Sequence, residues 1–247
     1  MGNGRCNKHH HIGRSILTFV AVSLQILYRD EQLIAINKPH GLLVHRSPIA
    51  ADAGEFAIQL LRNQVGQRVY PVHRIDRKTG GVLLFALDKD TEIQMQQQFA
   101  AHQVLKKYLA IVRGFTPDQQ EIDYPLAKEN GALQEAFTVY QTLRRAELDV
   151  PFGQHPTSRY SLVEASPRTG RMHQLRKHFK HILHPIIGDR PHGCNKQNKL
   201  FNEKWGMNTL LLHAAYLAFK HPVTGEAVAI EAPIQEEFER VMKIMNW

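Results

Sequence analysis

The chain has few cysteines, a deficit of acidic residues, and no apolar run long enough to cross a membrane. Cys6 and Cys194 are its only cysteines, which excludes a disulfide framework and favours a reducing compartment. Neither has a CxxC partner, and the histidines at 9–11 match a metal-ligand spacing only weakly. The apolar run at 16–22 is too short to span a bilayer. We therefore expect no metal site, no membrane association and a cytoplasmic protein.

The charge balance points to a polyanionic partner. Lysine and arginine number 31 against 23 aspartates and glutamates, giving a net charge of +8 and a pI of about 9.5. Such a balance suggests nucleic acid or an anionic membrane as the partner, and nucleic acid is favoured. A soluble enzyme that is merely basic is the alternative. The hydrophobic fraction of 43% is sufficient for a globular core.

The N-terminal residues are predicted to lie outside the folded domain. We expect residues 1–23 to be an extension that is disordered or results from a misassigned start, and residues 24–247 to form one domain. Basic residues precede the apolar run, as in an export signal. No small-x-small cleavage site follows it, so an export signal is the less favoured alternative.

Strand-like segments outnumber helical ones. The strands are predicted at 25–28, 33–37, 81–87, 108–113, 137–143, 160–165, 210–214, 216–219 and 228–232. Helical spacing of apolar residues predicts helices at 56–65, from Asp90 as a cap through Phe99, at 173–181, and from Ile234 to Met245. The segments 115–135, 150–158 and 190–208 are expected to be surface loops. Without strict βαβ alternation, this pattern predicts an α+β domain with a mixed, largely antiparallel sheet flanked by helices and loops.

Two basic segments could carry chemistry. In the first, at 73–81, Asp76 lies between Arg74 and Arg77 and precedes an apolar strand. Nearby cations keep a carboxylate ionised, although an aspartate in such a loop is more often a cap or a surface charge. The second, at 168–178, enters a predicted helix and suits phosphate binding, with a solvated helix face as an equal alternative.

Five segments, in order, resemble the RluA family of pseudouridine synthases. His73–Gly81 is similar to its central H-R-L-D-x-x-T-S-G motif, Leu105–Gly114 to its tyrosine motif, and Thr169–Arg176 to its third motif. Asn37–Gly41 and His184–Asp189 match two further family segments. The likeness covers roughly residues 24–233. Gly80 departs from the pattern, because serine is usual there, and this is expected to affect the turn more than the chemistry.

The resemblance implies a single pseudouridine synthase domain, an isomerase that needs no cofactor and no metal. Its catalytic residues would be Asp76, Tyr108 and Arg176. Asp76 would be the essential carboxylate, which either attacks the sugar, attacks the base, or abstracts a sugar proton. Arg176 would pair with it. Tyr108 would stack on a flipped uracil and accept the C5 proton.

The resemblance also implies a set of substrate contacts. Arg74 would fill the gap left by the flipped base, and Leu175 would pack beside that base. The remaining contacts to RNA are assigned to His73, Lys106, Lys107 and Arg171, with the basic residues following the phosphate backbone.

Within the family, the detailed likeness is to members that act on tRNA. This implies a tRNA substrate, with uridine 65 in the T-arm stem as the target. A ribosomal RNA synthase of the same family and a non-catalytic RNA-binding protein are the alternatives. No obligate protein partner is evident, and we expect a monomer.

Overall fold

The computed structural model describes Met1, residues 23–45 and residues 55–247. The predicted extension, with Cys6, the histidines at 9–11 and the apolar run at 16–22, lies outside the described residues apart from its two ends. The domain boundary at residue 24 therefore stays a prediction.

The described residues form twelve strands and five helices. The strands are β1 (Ile26–Arg29), β2 (Leu33–Lys38), β3 (Tyr70–Pro71), β4 (Gly80–Ala86), β5 (Leu105–Arg113), β6 (Gln119–Asp123), β7 (Leu126–Ala127), β8 (Leu133–Gln134), β9 (Phe137–Leu148), β10 (Ser158–Pro167), β11 (Leu212–Lys220) and β12 (Ala227–Glu231). The helices are α1 (Ala57–Val65), α2 (Lys89–Ala100), α3 (Gln174–His181), α4 (Asn195–Trp205) and α5 (Glu236–Ile244).

Ten of these strands form one sheet. Its order is β1-β2-β4-β11-β5-β10-β9-β6, with β12 also paired to β11 and β3 to β4. Strand β11 runs parallel to β4, and the other pairings within the sheet are antiparallel. The predicted α+β class with a mixed, largely antiparallel sheet is confirmed. The remaining strands, β7 and β8, form a separate hairpin.

Strand β4 is buried along its whole length, because both faces of the sheet are covered there. Leu84 shares an apolar cluster with Met95 of α2, and Phe85 shares another with Leu61 of α1. A continuous apolar run is what such a doubly covered strand requires. The segment that carries Asp76 leads directly into this rigid strand.

Several sequence predictions of local structure were wrong. Asp88 caps α2, since its side chain accepts a hydrogen bond from the Thr91 amide at 2.8 Å, and Asp90 lies inside the helix. The segment 115–135 contains β6, β7 and β8. The segment 190–208 contains α4, which buries only Gln197 and Phe201 and so has too few apolar residues to show helical spacing. The two strands predicted at 210–219 form the single strand β11, which is irregular between Ala214 and Tyr216.

No helix in the part of the chain that the structure describes has both the length and the apolar character needed to cross a membrane.

Candidate active site

The Asp76 loop enters the sheet at a point where two strands approach closely. Gly81, at the start of β4, has φ +109°, and a Cβ placed on it would lie 2.2 Å from the Ala214 carbonyl oxygen of β11. Only glycine fits here, because the backbone is left-handed and a side chain would clash. Just before it, the Thr79 amide donates to the Asp76 carbonyl at 3.0 Å and closes a turn.

A buried lysine anchors the same loop. Lys38, at the end of β2, has no exposed surface, and its ammonium donates to the carbonyls of Pro39 (3.0 Å), Leu42 (2.8 Å) and Arg77 (3.0 Å). Burial lowers the pKa of Lys38 to about 7, although the nearby Asp76 carboxylate opposes this shift. Three carbonyl acceptors require three N–H donors, so the charged form satisfies this site. The lysine thereby fixes the backbone one residue after Asp76.

Gly80, where the family pattern has serine, faces a glutamine. Gln235 accepts a hydrogen bond from the His40 amide at 2.9 Å and donates to the Lys38 carbonyl at 2.7 Å. A Cβ on Gly80 would lie 2.3 Å from the Gln235 amide nitrogen. The glutamine side chain therefore fills the space beside residue 80 and braces the segment that carries Lys38.

One guanidinium joins Asp76 to a second carboxylate. Arg176, in α3, donates from Nη1 to Asp76 Oδ2 at 2.9 Å. Its Nε and Nη2 donate to the two oxygens of Asp189, each at 2.8 Å. The side chains of Arg176 and Asp189 are 6% and 1% exposed, whereas that of Asp76 is 27% exposed. Asp189 thus fixes the arginine from within the core, and the arginine presents Asp76 to solvent.

Asp76, Arg176 and Asp189 form a triad whose charges favour the ionised form of the arginine. Burial alone would lower the pKa of Arg176, but the hydrogen bonds and charges of Asp189 and Asp76 outweigh burial and raise it. A bidentate arginine–carboxylate contact is strong and directional. The geometry can therefore hold one partly exposed carboxylate in a fixed position beside a permanent positive charge.

Tyr108 lies at the junction of the two apolar clusters that flank this pair. It packs against the cluster that contains Ile75, next to Asp76, and against the cluster that contains Leu175, next to Arg176. Burial raises the pKa of the Tyr108 phenol, and the Asp76 carboxylate raises it further. The three side chains predicted as catalytic are thus brought to one place from three distant parts of the chain.

The comparisons with known proteins agree with this arrangement. The family model described as RNA pseudouridylate synthase matches residues 32–181. The chain belongs to this family. Its activity is accordingly that of an isomerase that makes pseudouridine.

Relatives match almost the whole length of the chain. tRNA pseudouridine synthase C of Haemophilus ducreyi is 47% identical over 236 residues, which are 92% of this chain and 97% of that protein. The protein of the same name from Pasteurella multocida is 44% identical, over 92% of this chain and 98% of its own length. Among solved structures, human RNA pseudouridylate synthase domain containing 4 superposes with a TM-score of 0.69 at 27% identity, over 90% of this chain and 93% of that one.

His73 is held by the synthase fold itself. Its Nε2 accepts a hydrogen bond from the Leu84 amide of β4 at 3.0 Å, and its ring stacks on Phe99 at 4.8 Å. Burial, with a smaller effect from the charge of Lys106, lowers the pKa of His73 to about 3, so the ring is neutral. This geometry assigns His73 to holding the Asp76 loop and gives no support to the predicted RNA contact.

The two neighbouring lysines of β5 differ in placement. Lys106 donates to the Thr169 carbonyl at 3.4 Å, and burial lowers its pKa. Lys107 pairs with Glu164 at 2.9 Å and lies over the ring of Tyr216. Because successive side chains alternate along a strand, Lys107 points away from the face that carries Tyr108. The structure therefore gives no support to the RNA contact predicted for Lys107 either.

The remaining predicted contacts, Arg74, Leu175 and Arg171, differ in exposure. Arg74 is exposed, and Leu175 is buried in the apolar cluster against which Tyr108 packs. Arg171 donates to the Glu135 carbonyl at 2.9 Å and lines a cavity of about 400 Å³ together with Lys128 and Lys177. The same cavity is lined by one acidic side chain, Glu129, so cations outnumber carboxylates on its wall.

Sequence reasoning did not assign a role to Asp189, Lys38, His173 or His192. The sequence does carry a signal for Asp189. This aspartate directly follows the apolar run 185–188, which the structure buries, and a buried carboxylate must be paired. No comparable signal marks His192. Within residues 23–45 and 55–247, no group of three or more His, Cys, Asp or Glu side chains is arranged to hold a metal ion.

Proposed function

We propose that this synthase converts uridine 65 in the T-arm stem of tRNA to pseudouridine. The observation that carries the proposal is the Arg176–Asp76 contact, with Asp189 behind it and Tyr108 beside it. The tRNA substrate is supported by two relatives, 47% and 44% identical to this chain over nearly their full length, that are named for tRNA.

The reaction breaks the N1–C1′ glycosidic bond, turns the uracil, and forms a C5–C1′ bond. The C5 proton is lost and N1 gains one, so no atoms or electrons are gained overall. An ionised Asp76 would act on the sugar or the base at the start of this sequence. Arg176 holds Asp76 by one oxygen, and the partly exposed carboxylate is left accessible to the nucleotide.

The base must leave its stem before it can react. Arg74, exposed beside the site, would fill the gap in the stem. Leu175 and the ring of Tyr108 would hold the flipped uracil by apolar contact and stacking. The raised pKa of Tyr108 favours the neutral phenol, so stacking suits this residue better than accepting the C5 proton as a phenolate.

Further expectations accompany this proposal. Residues 24–247 would act as a single catalytic domain and work as a monomer in the cytoplasm. The basic side chains near the site, including Arg171 and Lys177, would follow the phosphate backbone and set the salt dependence of binding. Asp76, Tyr108 and Arg176 together argue against a purely RNA-binding role.

The experiment offers wild-type protein separate pools of unmodified tRNA and ribosomal RNA, both carrying [5-³H]uridine. Tritium release, followed by mapping of the modified nucleotide, reads out both the chemistry and the substrate. Release from tRNA with modification at uridine 65 is the expected result. Release only from ribosomal RNA would keep the chemistry and overturn the tRNA substrate, and release from neither pool would overturn the proposal.

A further inference from the structure

Two histidines that the reaction scheme does not use lie beside the triad. His173 Nδ1 and His192 Nε2 are 2.9 Å apart, which is hydrogen-bonding distance. On its other side, His173 Nε2 lies 3.9 Å from Asp76 Oδ2. The His192 amide donates to Asp189 Oδ1 at 3.2 Å. The pair therefore lies between the two carboxylates, alongside Arg176. It is hydrogen-bonded to Asp189 through the His192 amide, and His173 is within electrostatic range of Asp76 but beyond hydrogen-bond distance.

The backbone of His173 is held in an unusual conformation. It precedes the first residue of α3 with φ 56° and ψ 29°, in the left-handed region. A residue other than glycine or asparagine pays a conformational cost there, and such strain is concentrated at functional sites. In this conformation Nε2 of the His173 ring lies 3.9 Å from Asp76 Oδ2.

The contact between the rings fixes where the hydrogens lie. One nitrogen must donate and the other must accept. If His192 Nε2 donates, His173 carries its hydrogen on Nε2, facing the Asp76 carboxylate. If His173 Nδ1 donates, its Nε2 presents a lone pair to that negative charge. The carboxylate favours the first arrangement, in which His192 donates to His173 and His173 points an N–H at Asp76.

We propose that His173, oriented by His192, is a positioning residue for Asp76, and this rests on the proposed role of Asp76 as the essential carboxylate. Arg176 donates a hydrogen bond to Oδ2 of Asp76 at 2.9 Å, and His173 Nε2 lies 3.9 Å from the same oxygen. Among the described residues, Oδ1 of Asp76 receives no hydrogen bond. Arg176 holds Oδ2 by a hydrogen bond, and the N–H of a neutral His173 turns its dipole toward the same oxygen, so the other oxygen is left to act on the nucleotide.

Burial and the surrounding charges together set the protonation of the two histidines. His173 faces Asp76, Asp189, Arg176 and Lys177, and the same side chains of Asp189, Arg176 and Lys177 act on His192. Burial is the largest effect on both rings, and it lowers the pKa of each below the usual 6.5. The pair is therefore neutral at pH 7. A proton taken up at lower pH places a cation beside Asp76, which holds the carboxylate more tightly and slows the reaction.

The test compares three variants with a matched control in the full-length protein. His173→Asn keeps the left-handed backbone, which asparagine tolerates, and removes the ring. His192→Phe keeps a ring without a donor, and His192→Gln restores an N–H donor. His102→Asn is the control, because His102 is an exposed histidine with φ 58° at the end of α2.

The expected result separates rate from binding and stability. With tRNA in single-turnover tritium release, His173→Asn and His192→Phe should each be about tenfold slower, a loss of one positioning contact. The Kd for tRNA and the unfolding midpoint should stay at wild-type values, and His192→Gln and His102→Asn should react at the wild-type rate. The acid limb of the wild-type pH–rate profile, below pH 6.5, should flatten in His173→Asn.

Several outcomes would overturn the proposal. If both His173→Asn and His192→Phe react at the wild-type rate, the positioning role of His173 is overturned. If Asp76→Asn is inactive in the same assay, the proposed function still stands. If His192→Gln slows the reaction as much as His192→Phe does, the effect comes from packing of the ring and not from its N–H donor, which also overturns the proposal. If His173→Asn does not fold, the two His192 variants decide the matter. A wild type that makes no pseudouridine in any RNA would overturn both proposals.

A second measurement tests the contact without RNA. Because the Asp76 carboxylate raises the pKa of His173, the ring should titrate at lower pH in Asp76→Asn when followed by its NMR signal. An unchanged titration in that variant would contradict the contact between His173 and Asp76.

Discussion

Asp76 and Asp189 bind the same guanidinium and differ in nearly everything else. Asp189 has both oxygens on Arg176, and its side chain is 1% exposed. Asp76 offers Arg176 one oxygen, and its side chain is 27% exposed. A buried ion pair is costly to break, whereas a partly exposed one contributes little to stability. The comparison separates a carboxylate that holds the site together from one that is free to react.

The largest expected effect is on the chemistry at Asp76. Asp76→Asn keeps the shape of the side chain and removes its charge. Tritium release from tRNA should fall by at least about 10³-fold, since a neutral amide cannot act as nucleophile or base. RNA binding should stay close to that of the wild type in a filter-binding assay. Asp118→Asn, which removes an exposed carboxylate paired with Arg145, should keep full activity.

Removing the charge at the second carboxylate should affect stability first. Asp189→Asn leaves Arg176 buried without its bidentate partner, which should lower the free energy of unfolding by about 3 kcal/mol. Urea denaturation followed by circular dichroism measures this. Asp118→Asn should change it by less than about 1 kcal/mol. The activity of Asp189→Asn should fall but remain above that of Asp76→Asn. If Asp189→Asn proved as stable as Asp118→Asn, Asp189 would not be the carboxylate that holds the site together.

A smaller effect is expected where the chain departs from its family pattern. Gly80→Ser introduces a Cβ only 2.3 Å from the Gln235 amide nitrogen. Displacing that glutamine from Lys38 and His40 should cost about 1 kcal/mol of unfolding free energy and reduce the rate moderately. In the double variant with Gln235→Ala the cost should be smaller than the sum of the single costs. Strict additivity would show that Gln235 and residue 80 do not compete for space.

The smallest effects are expected for Arg171 and Lys107, which are both predicted from the sequence to contact RNA but are placed differently in the structure. Arg171→Ala should reduce the slope of log K for tRNA against log salt by about 1, as one phosphate contact is lost. Lys107→Ala should leave the slope unchanged, because Lys107 pairs with Glu164 and points away from the face that carries Tyr108. Equal slopes for the two variants would remove this distinction.

The motif residues could be identified from the sequence, but the contacts between them could not. Asp76 and Arg176 lie 100 positions apart, and no local spacing joins them, so their pairing could be anticipated only through the resemblance. Strand β4 was predictable from its apolar run, because burial on both faces leaves a plain signal. Helix α4 was missed because its outer faces are polar. The contacts of Asp189 and His192 could be identified only from the fold, since their partners come from other elements, although the apolar run before Asp189 was a hint that this residue is buried.

The most direct test measures tritium release from tRNA and the free energy of unfolding together, for wild type, Asp76→Asn and Asp189→Asn. The account predicts that Asp76→Asn is inactive yet within about 1 kcal/mol of wild-type stability, while Asp189→Asn is clearly destabilised and retains residual activity. An active Asp76→Asn, or an Asp189→Asn that is as stable as wild type and wholly inactive, would contradict it.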